Sequence, residues 1–493
     1  MTPDQTAQAQ TVLDETKIVS PPVEALPLDS DRFSALLASA GIVKGSVDWR
    51  TQSLIGVTIL GEAASEQLAR SLRDGLGPAG QKSANGAVAS FIRSEVFKLR
   101  LEGRGQLTAT DIDDLEQGVI LWLQAQTQVR RHFVPCTLFA YPLPTFSVGP
   151  VSFHHLNELP TPNMGVSRDE FWPDRKRSLL HRLVDARDAF RDQVRFRPTD
   201  EFGRTAGGHQ YDRLVQLCWE RRAYWVADIP VAGREQAQSI VVANLAASIA
   251  LAALALALPF DNLRNMTRAS ELAAPVWSYD VWTSGGHPSS SATNHEPGRT
   301  LSPGVVSFGL SKGAATLDSF GRRLESYLFG QRSLPSLNES WCNAAYWFHD
   351  ALLEPVEGVA VAQLETCIEV LLSAGSTTGS TSRLLSAFDA LLGMSPTDPI
   401  AQGSSTSVKA FVETIVTARS RVLHGTWSAL GPDLPQRNGL GVRRSDVEHL
   451  ARTLLVVASH QLDAYQSAGE QSDNVLDLLA WSKARRTSAS SAP

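Results

Sequence analysis

Cysteine is scarce in this chain of 493 residues and shows no metal-binding pattern. Cys136, Cys218, Cys342 and Cys367 are scattered, whereas zinc knuckles space their cysteines about two to four residues apart. The first 30 residues lack the basic start, apolar stretch and small-residue cleavage site of a secretory signal. We therefore expect reduced structural thiols in a cytoplasmic protein.

The sequence also lacks the motifs that mark nucleotide and hydrolase sites. It has no Walker loop, no glycine-rich dinucleotide fingerprint and no Gly-x-Ser-x-Gly elbow. The histidines His154-His155 fall in a predicted strand, and His287 and His295 fall in a predicted loop. His154-His155 has no cysteine or carboxylate at a familiar ligand spacing, and the loop that holds His287 and His295 is expected to be flexible. We therefore predict no metal and no cofactor.

Positive charge is not in excess either. The formal net charge of -6 argues against a protein that coats nucleic acid, so any RNA contact must come from a local patch. The stretch Arg168 to Arg197 has nine basic and six acidic side chains, with apolar residues at helical spacing. This pattern favours a solvated helix with internal ion pairs over an RNA-guiding surface.

One long apolar run is present. Ile240 to Leu258 is 19 residues without a charge, which is long enough to cross a bilayer. However, eight of its residues are alanine, it stops at Pro259, and no cluster of aromatic anchors and lysines brackets it. The run favours a buried helix, with a membrane-attached protein as a distant alternative.

Periodicity indicates a mixed N-terminal region. A polar lead-in is followed by four short amphipathic helices, and aromatic and β-branched residues then mark strands. Predicted helices cover 31–41, 63–76, 87–101 and 113–128, predicted strands cover 132–141, 151–156, 223–229 and 275–282, and residues 283–304 are predicted to form a loop.

Strand signals vanish beyond this loop, and one predicted helix follows another. The last long one opens with Ser445-Asp446-Val447-Glu448, which fits a capping box formed by Ser445 and Glu448. The predicted helices cover 317–330, 338–353, 359–374, 382–392, 408–424 and 446–465.

The predicted fold class is an α+β N-terminal region followed by an all-α helical-bundle domain. We expect a disordered lead-in over residues 1–30 and an α+β region over 31–304, with a boundary at about 304 to 315. The all-α domain covers 315–467. A terminal helix and a disordered tail, loose after Arg486, occupy 468–493.

The predicted helix 408–424 ends in the one pairing that reads as a reaction centre, Arg419 and His424 with four residues between them. Arginine stays cationic and grips phosphate in a planar fork, while histidine can exchange a proton near neutrality. Together they could cut RNA without a metal, by attack of a 2′-hydroxyl on its own phosphodiester. Ser420 and Arg421, beside the pair, are candidate supporting or RNA-binding residues.

Residues of about 338 to 467 resemble a HEPN domain, most closely its Apea-like branch. The resemblance covers about a quarter of the chain, and five features carry it: Leu364-Glu365 in an apolar helix, Arg383 in the next helix, Arg419, the polar Ser420, and His424-Gly425. It implies a homodimer of helical bundles whose two motifs face one another and form a metal-independent ribonuclease site. Such proteins often act in antiviral defence against phage.

Helix geometry leaves two arrangements open. Five residues turn a regular helix by about 140° beyond one full turn, so Arg419 and His424 would diverge. Either the helix loosens before Gly425, or a second protomer completes the site. Arg419 shares the apolar face of Val408, Val412 and Ile415, where an arginine needs a carboxylate or a phosphate as its partner.

The alternative reading is structural: Arg419 pairs with a core carboxylate such as Glu365, and His424 caps the helix end. Glu365 and Arg383 are expected to be structural. The predicted function is a metal-independent endoribonuclease that leaves 2′,3′-cyclic phosphate ends, and the alternative is a non-catalytic interaction module. Expected partners are an RNA substrate, an unknown trigger for the N-terminal region, and a second copy bound through the face that holds Arg419 and His424.

Overall fold

The chain divides into two compact units, Met1–Arg130 with Val231–Val242 and Arg131–Pro230 with Ala243–Pro493. The N-terminal half is mixed and the C-terminal half is helical, as predicted. The units do not separate at the expected boundary, because residues 131–230 belong with the C-terminal helices. The computed structural model describes residues 1–19, 30–48, 53–76, 83–125, 129–159, 214–258 except 216 and 219, 266–271, 277–284, 287–294, 301–330, 333–373, 377–400, 404–424 and 443–490.

The first unit combines helices with a small antiparallel sheet, and the four amphipathic helices predicted there are confirmed within a few residues. The sheet has the strand order β1-β3-β2. Its elements are α1 (Pro3–Asp14), β1 (Thr16–Val19), α2 (Ser30–Ser39), β2 (Lys44–Asp48), β3 (Ser53–Val57), α3 (Ile59–Gly75), α4 (Asn85–Leu101) and α5 (Ala109–Ala125).

The prediction of a disordered lead-in is wrong for the residues before 20. Thr2 and Gln5 form a capping box at the start of α1, which satisfies two of the free N–H groups there. Val12 and Leu13 are fully buried among the apolar residues of α3 and α4. The polar composition hid this helix, because only one of its faces is apolar.

A second sheet lies mainly in the second unit, with the strand order β5-β6-β7-β4-β8. The pairs β5 with β6, β6 with β7 and β4 with β8 are antiparallel. Trp225 is fully buried, and its indole N–H donates to Phe139 O at 2.8 Å. The strands are β4 (Arg130–Thr137), β5 (Phe146–Val148), β6 (Val151–His155), β7 (Trp225–Val231) and β8 (Thr267–Arg268).

The long apolar run forms α6 (Gln236–Ala257). In the part of the chain that the structure describes, α6 is the one helix that has the length and composition to cross a bilayer. However, 72% of its most apolar stretch is buried inside the fold. The Arg452 guanidinium donates to Ala255 O and Leu256 O at its C-terminal end. The prediction of a buried helix is confirmed.

Residues 283–304 are not the continuous loop that was predicted. β9 (Trp277–Ser284) and β10 (His287–Asn294) form an antiparallel hairpin in which His287 pairs with Ser284 and Asn294 with Trp277. The second strand is rich in serine and shows no apolar alternation, so its sequence carries no strand signal. The pairing with β9 supplies its backbone hydrogen bonds instead.

All described elements after residue 303 are helical, and the six helices predicted there are confirmed. The helix α10 is central, because it packs against α9, α12 and α13. The helices are α7 (Pro303–Lys312), α8 (Ala314–Phe329), α9 (Pro335–Leu353), α10 (Glu357–Leu371), α11 (Thr377–Ala387) with a π-helical turn at Phe388–Leu392, α12 (Val408–Leu423), α13 (Arg444–Ser467) and α14 (Val475–Ser490).

Two predictions about helix ends are wrong. The helix α13 begins before the predicted capping box of Ser445 and Glu448, and the Asp446 carboxylate accepts the Arg443 N–H at 2.9 Å. The chain is also helical beyond Arg486, as far as Ser490. Leu478 and Leu479 in the first turns of this last helix are buried, whereas Thr487 and Ser488 near its end are exposed.

Candidate functional site

The helix α12 positions Arg419. Ser407 caps its start, where the hydroxyl accepts the Ala410 N–H at 3.2 Å. Val408, Val412 and Ile415 are fully buried on one face of the helix. Arg419 continues that face as predicted, and its side chain is 24% exposed.

Two glutamates of α10 hold the Arg419 guanidinium. Its Nε lies 3.0 Å from Glu365 Oε2, and its Nη1 lies 2.5 Å from Glu369 Oε2. The expectation that this arginine needs a partner is confirmed, and Glu365 is the carboxylate named from the sequence. Glu369 was missed, although its spacing of four residues from Glu365 places both on one side of a helix.

The two carboxylates lie close enough to influence each other's protonation. Burial raises the pKa of Glu365 to about 8; the charge of Glu369 adds to this rise, and Arg419 opposes it. The Ser380 hydroxyl donates to Glu369 Oε1. At neutral pH Glu365 is therefore largely neutral, and the glutamate pair carries less than two negative charges.

A small cleft opens beside these glutamates, between α10, α11 and α12. Its cavity volume is about 10 Å³, which is room for about one water molecule. Arg383 does not enter this polar group, because its Nη1 donates to the carbonyls of Leu372 and Ser373 at 2.8 and 2.5 Å. The cleft is lined by Glu365, Ile368, Glu369, Leu372, Ser380, Leu384 and Val416.

His424 caps the C-terminal end of α12 and is exposed. Its N–H donates to Ser420 O at 3.0 Å, so the helical hydrogen bonding continues through this residue. The helix therefore does not loosen before the end of the motif. On a regular helix the side chains of Arg419 and His424 point in directions about 140° apart.

The other residues of the motif differ in exposure. Ser420 is half-buried and Arg421 is exposed, while Gly425 lies outside the described residues. The apolar stripe of α12 is buried within its own chain against α10. It is therefore not available to a second copy, and the expectation that a dimer buries this stripe is wrong.

The remaining predicted features fall in three groups. The four cysteines are free and buried, as expected for structural thiols, and burial raises the pKa of each. No group of three potential metal ligands occurs among the described residues. The charged stretch Arg168 to Arg197 and His295 lie outside those residues.

No family model, no curated protein and no solved structure matches this chain.

Proposed function

We propose that the C-terminal helices form a metal-independent endoribonuclease of the HEPN type, in which a second copy completes each site. One observation carries the proposal. Arg419 is anchored on the buried face of α12 by two glutamates that line a small cleft, and the same helix ends in an exposed histidine. An arginine and a histidine can supply the charge stabilisation and the proton transfer for phosphodiester cleavage without a metal.

Arg419 supplies the stabilising charge. Its ion pairs run through Nε and Nη1, so a phosphate oxygen would be met from the side of Nη2. The glutamates fix the plane of the guanidinium in advance, which reduces the entropy lost when a phosphate binds. Because Glu365 is largely neutral near pH 7, it repels an incoming phosphate less than an ionised carboxylate would.

His424 moves the proton. A neutral imidazole takes the proton of a ribose 2′-hydroxyl, the O2′–P bond forms, and the P–O5′ bond breaks. The departing 5′-oxygen takes a proton from water and the imidazolium returns its proton to the solvent, so the products are a 2′,3′-cyclic phosphate and a 5′-hydroxyl. Because Arg419 and His424 diverge on one helix, the histidine beside each arginine belongs to the second copy.

The test is cleavage of end-labelled RNA by the full chain in the presence of a metal chelator. We expect cyclic-phosphate ends, and we expect His424→Ala to abolish cleavage without loss of folding, because His424 is exposed. His449→Ala is the matched control, since His449 is an exposed histidine of α13. Cleavage that stops with chelator, or that survives in His424→Ala, would overturn the proposal.

A second candidate function is a non-catalytic interaction module, and the contacts of Arg419 with Glu365 and Glu369 favour it. Glu369 pairs with Arg419 within the chain, so the guanidinium has a partner without a phosphate. This candidate predicts no RNA cleavage by the wild-type chain under any metal condition. In either case we infer that the N-terminal region senses a trigger, and for the ribonuclease we propose a role in defence or growth arrest.

A further inference from the structure

A separate group of polar side chains lies at the β5–β6 end of the second sheet. Thr145 directly precedes β5, His154 lies in β6, and Asp228 lies in β7. In the antiparallel pairing of β6 with β7, Ser152 is opposite Asp228 and His154 is opposite Val226. The imidazole and the carboxylate are therefore diagonal neighbours across two adjacent strands.

The three side chains form a chain of polar contacts. Thr145 Oγ1 lies 3.0 Å from His154 Nδ1, and His154 Nε2 lies 3.7 Å from Asp228 Oδ2. His154 and Asp228 are buried, with side chains 10% and 3% exposed, whereas Thr145 is exposed. An exposed hydroxyl is thus backed by a buried imidazole and a buried carboxylate.

Arg131 and Glu158 hold the two ends of this group. Arg131 Nε donates to Asp228 Oδ1 at 3.2 Å, and its Nη2 donates to Asp228 Oδ2. This fork fixes the orientation of the carboxylate. At the other end Glu158 Oε2 accepts the Thr145 N–H at 3.2 Å and lies 3.4 Å from its hydroxyl.

The carboxylate determines which imidazole nitrogen can accept a proton. Among the described residues Nε2 of His154 has no hydrogen-bond partner, and it faces the negative charge of Asp228. A proton on Nε2 is favoured there, which leaves Nδ1 as an acceptor directed at the threonine hydroxyl. His154 Nδ1, at 3.0 Å, is nearer to this hydroxyl than Glu158, at 3.4 Å.

We propose that Thr145, His154 and Asp228 form a nucleophilic site that accepts an acyl group from an ester. His154 Nδ1 takes the Thr145 proton, Oγ1 attacks the carbonyl carbon, and a C–O bond forms. The bond to the alcohol then breaks, and the alcohol leaves with the proton from Nδ1. Asp228 stabilises the imidazolium between these two steps, and the product is an ester of Thr145.

Another hydroxyl of this hairpin provides a matched control. Ser147 is exposed and lies in β5, but its Oγ contacts Ser152 Oγ at 3.0 Å rather than an imidazole. Solvent exposure alone would acylate Ser147 as readily as Thr145. A reaction that depends on His154 would select Thr145.

The experiment treats the full chain with p-nitrophenyl acetate, follows p-nitrophenolate release and locates the acetyl group by peptide mass spectrometry. We expect a burst of about one equivalent with the acetyl group on Thr145. Thr145→Val should abolish this adduct, and Thr145→Ser and Ser147→Ala should retain it. His154→Gln, checked by circular dichroism, should slow acylation at Thr145 by roughly 100-fold or more.

Two results would overturn the proposal. One is the absence of an acetyl group on Thr145 in the wild type. The other is that position 145 of the Thr145→Ser variant is acetylated only as fast as Ser147. If His154→Gln does not fold, the rates at position 145 of Thr145→Ser and at Ser147 still test whether the imidazole activates the hydroxyl, because both positions are exposed.

Discussion

Arg419 Nη1 lies 2.5 Å from Glu369 Oε2, and both side chains belong to helices that pack directly against each other. The arginine therefore completes a charge cluster inside the domain. Its removal would leave Glu365 and Glu369 facing each other without a cation. Loss of cleavage in an Arg419 variant must for this reason be separated from loss of folding.

The first prediction separates them by complementation between inactive variants. Arg419→Gln keeps a hydrogen-bonding partner for the glutamates, and His424→Ala changes an exposed residue. Each variant alone should be inactive. In an equal mixture half of the dimers are mixed, and one of their two sites has both residues, so about a quarter of wild-type cleavage should return. A mixture as inactive as its components would contradict a site shared between copies.

The second prediction concerns assembly. If two copies share the site, sedimentation velocity should show a dimer at concentrations where cleavage is seen. Each copy brings a positively charged arginine to the shared interface, and bound RNA offsets their repulsion, so RNA should tighten the dimer. A strict monomer with and without RNA, in a preparation that still cleaves, would exclude this assembly.

The third prediction concerns pH. The pKa of Glu365 is raised to about 8 in the folded chain, above the usual value of about 4.3 for an exposed glutamate. Between about pH 4.3 and pH 8, Glu365 is therefore protonated in the folded chain and ionised in the unfolded chain. Stability is fully present below about pH 4.3 and falls as the pH rises towards 8, by a few kcal/mol at most, on the order of 1.4 kcal/mol per pKa unit.

Glu365→Gln removes this titration, because a glutamine has no proton to lose. The variant should show a smaller decrease in Tm between pH 6 and pH 9 than the wild type, measured by thermal unfolding at each pH. Glu413→Gln, on the neighbouring α12, is the control and should follow the wild-type curve. Parallel curves for Glu365→Gln and the wild type would show that Glu365 is ionised throughout.

The fourth prediction tests the buried charges that join α8 to α13. The Arg323 side chain is fully buried and its Nη2 lies 2.5 Å from Asp463 Oδ1, while Arg322 binds the same carboxylate through two nitrogens. Burial alone would raise the pKa of Asp463, but hydrogen bonds from Arg322 and Ser319 and the charge of Arg323 together lower it.

Asp463→Asn leaves Arg323 buried without its counter-ion, so the free energy of unfolding should fall by about 3 to 5 kcal/mol. Asp318→Asn changes an exposed carboxylate of the same helix pair and should stay within about 0.5 kcal/mol of the wild type. Urea unfolding of both variants measures the difference. Equal stability of the two would mean that Asp463 does not balance Arg323.

The fifth prediction concerns the close approach of the β5–β6 turn to α8. A Cβ atom at Gly321 would lie 2.6 Å from Gly149 N and 2.7 Å from Gly149 Cα, which are backbone atoms that cannot rotate away. Gly321→Ala should therefore destabilise the chain by about 1 to 3 kcal/mol, although alanine favours a helix. Gly304→Ala, in the open first turn of α7, should be neutral or stabilising.

The sequence by itself determined the helical C-terminal half, because apolar residues at helical spacing identify a helix whatever packs against it. It also determined that Ile240 to Leu258 is a helix and that Arg419 must find a partner. It did not reveal β10, whose strand conformation depends on pairing with β9, or α1, whose single apolar face needs α3 and α4 to cover it.

Only the tertiary structure decided which groups meet. Glu369 reaches Arg419 because α10 packs against α12, and 50 residues separate the two in the chain. Thr145, His154 and Asp228 converge because β6 pairs with β7 across a long stretch of chain. The spacing of residues in the sequence indicates the conformation of a single helix or strand. Ion pairs and proton relays depend instead on strand register and helix packing, which contacts between distant parts of the chain determine.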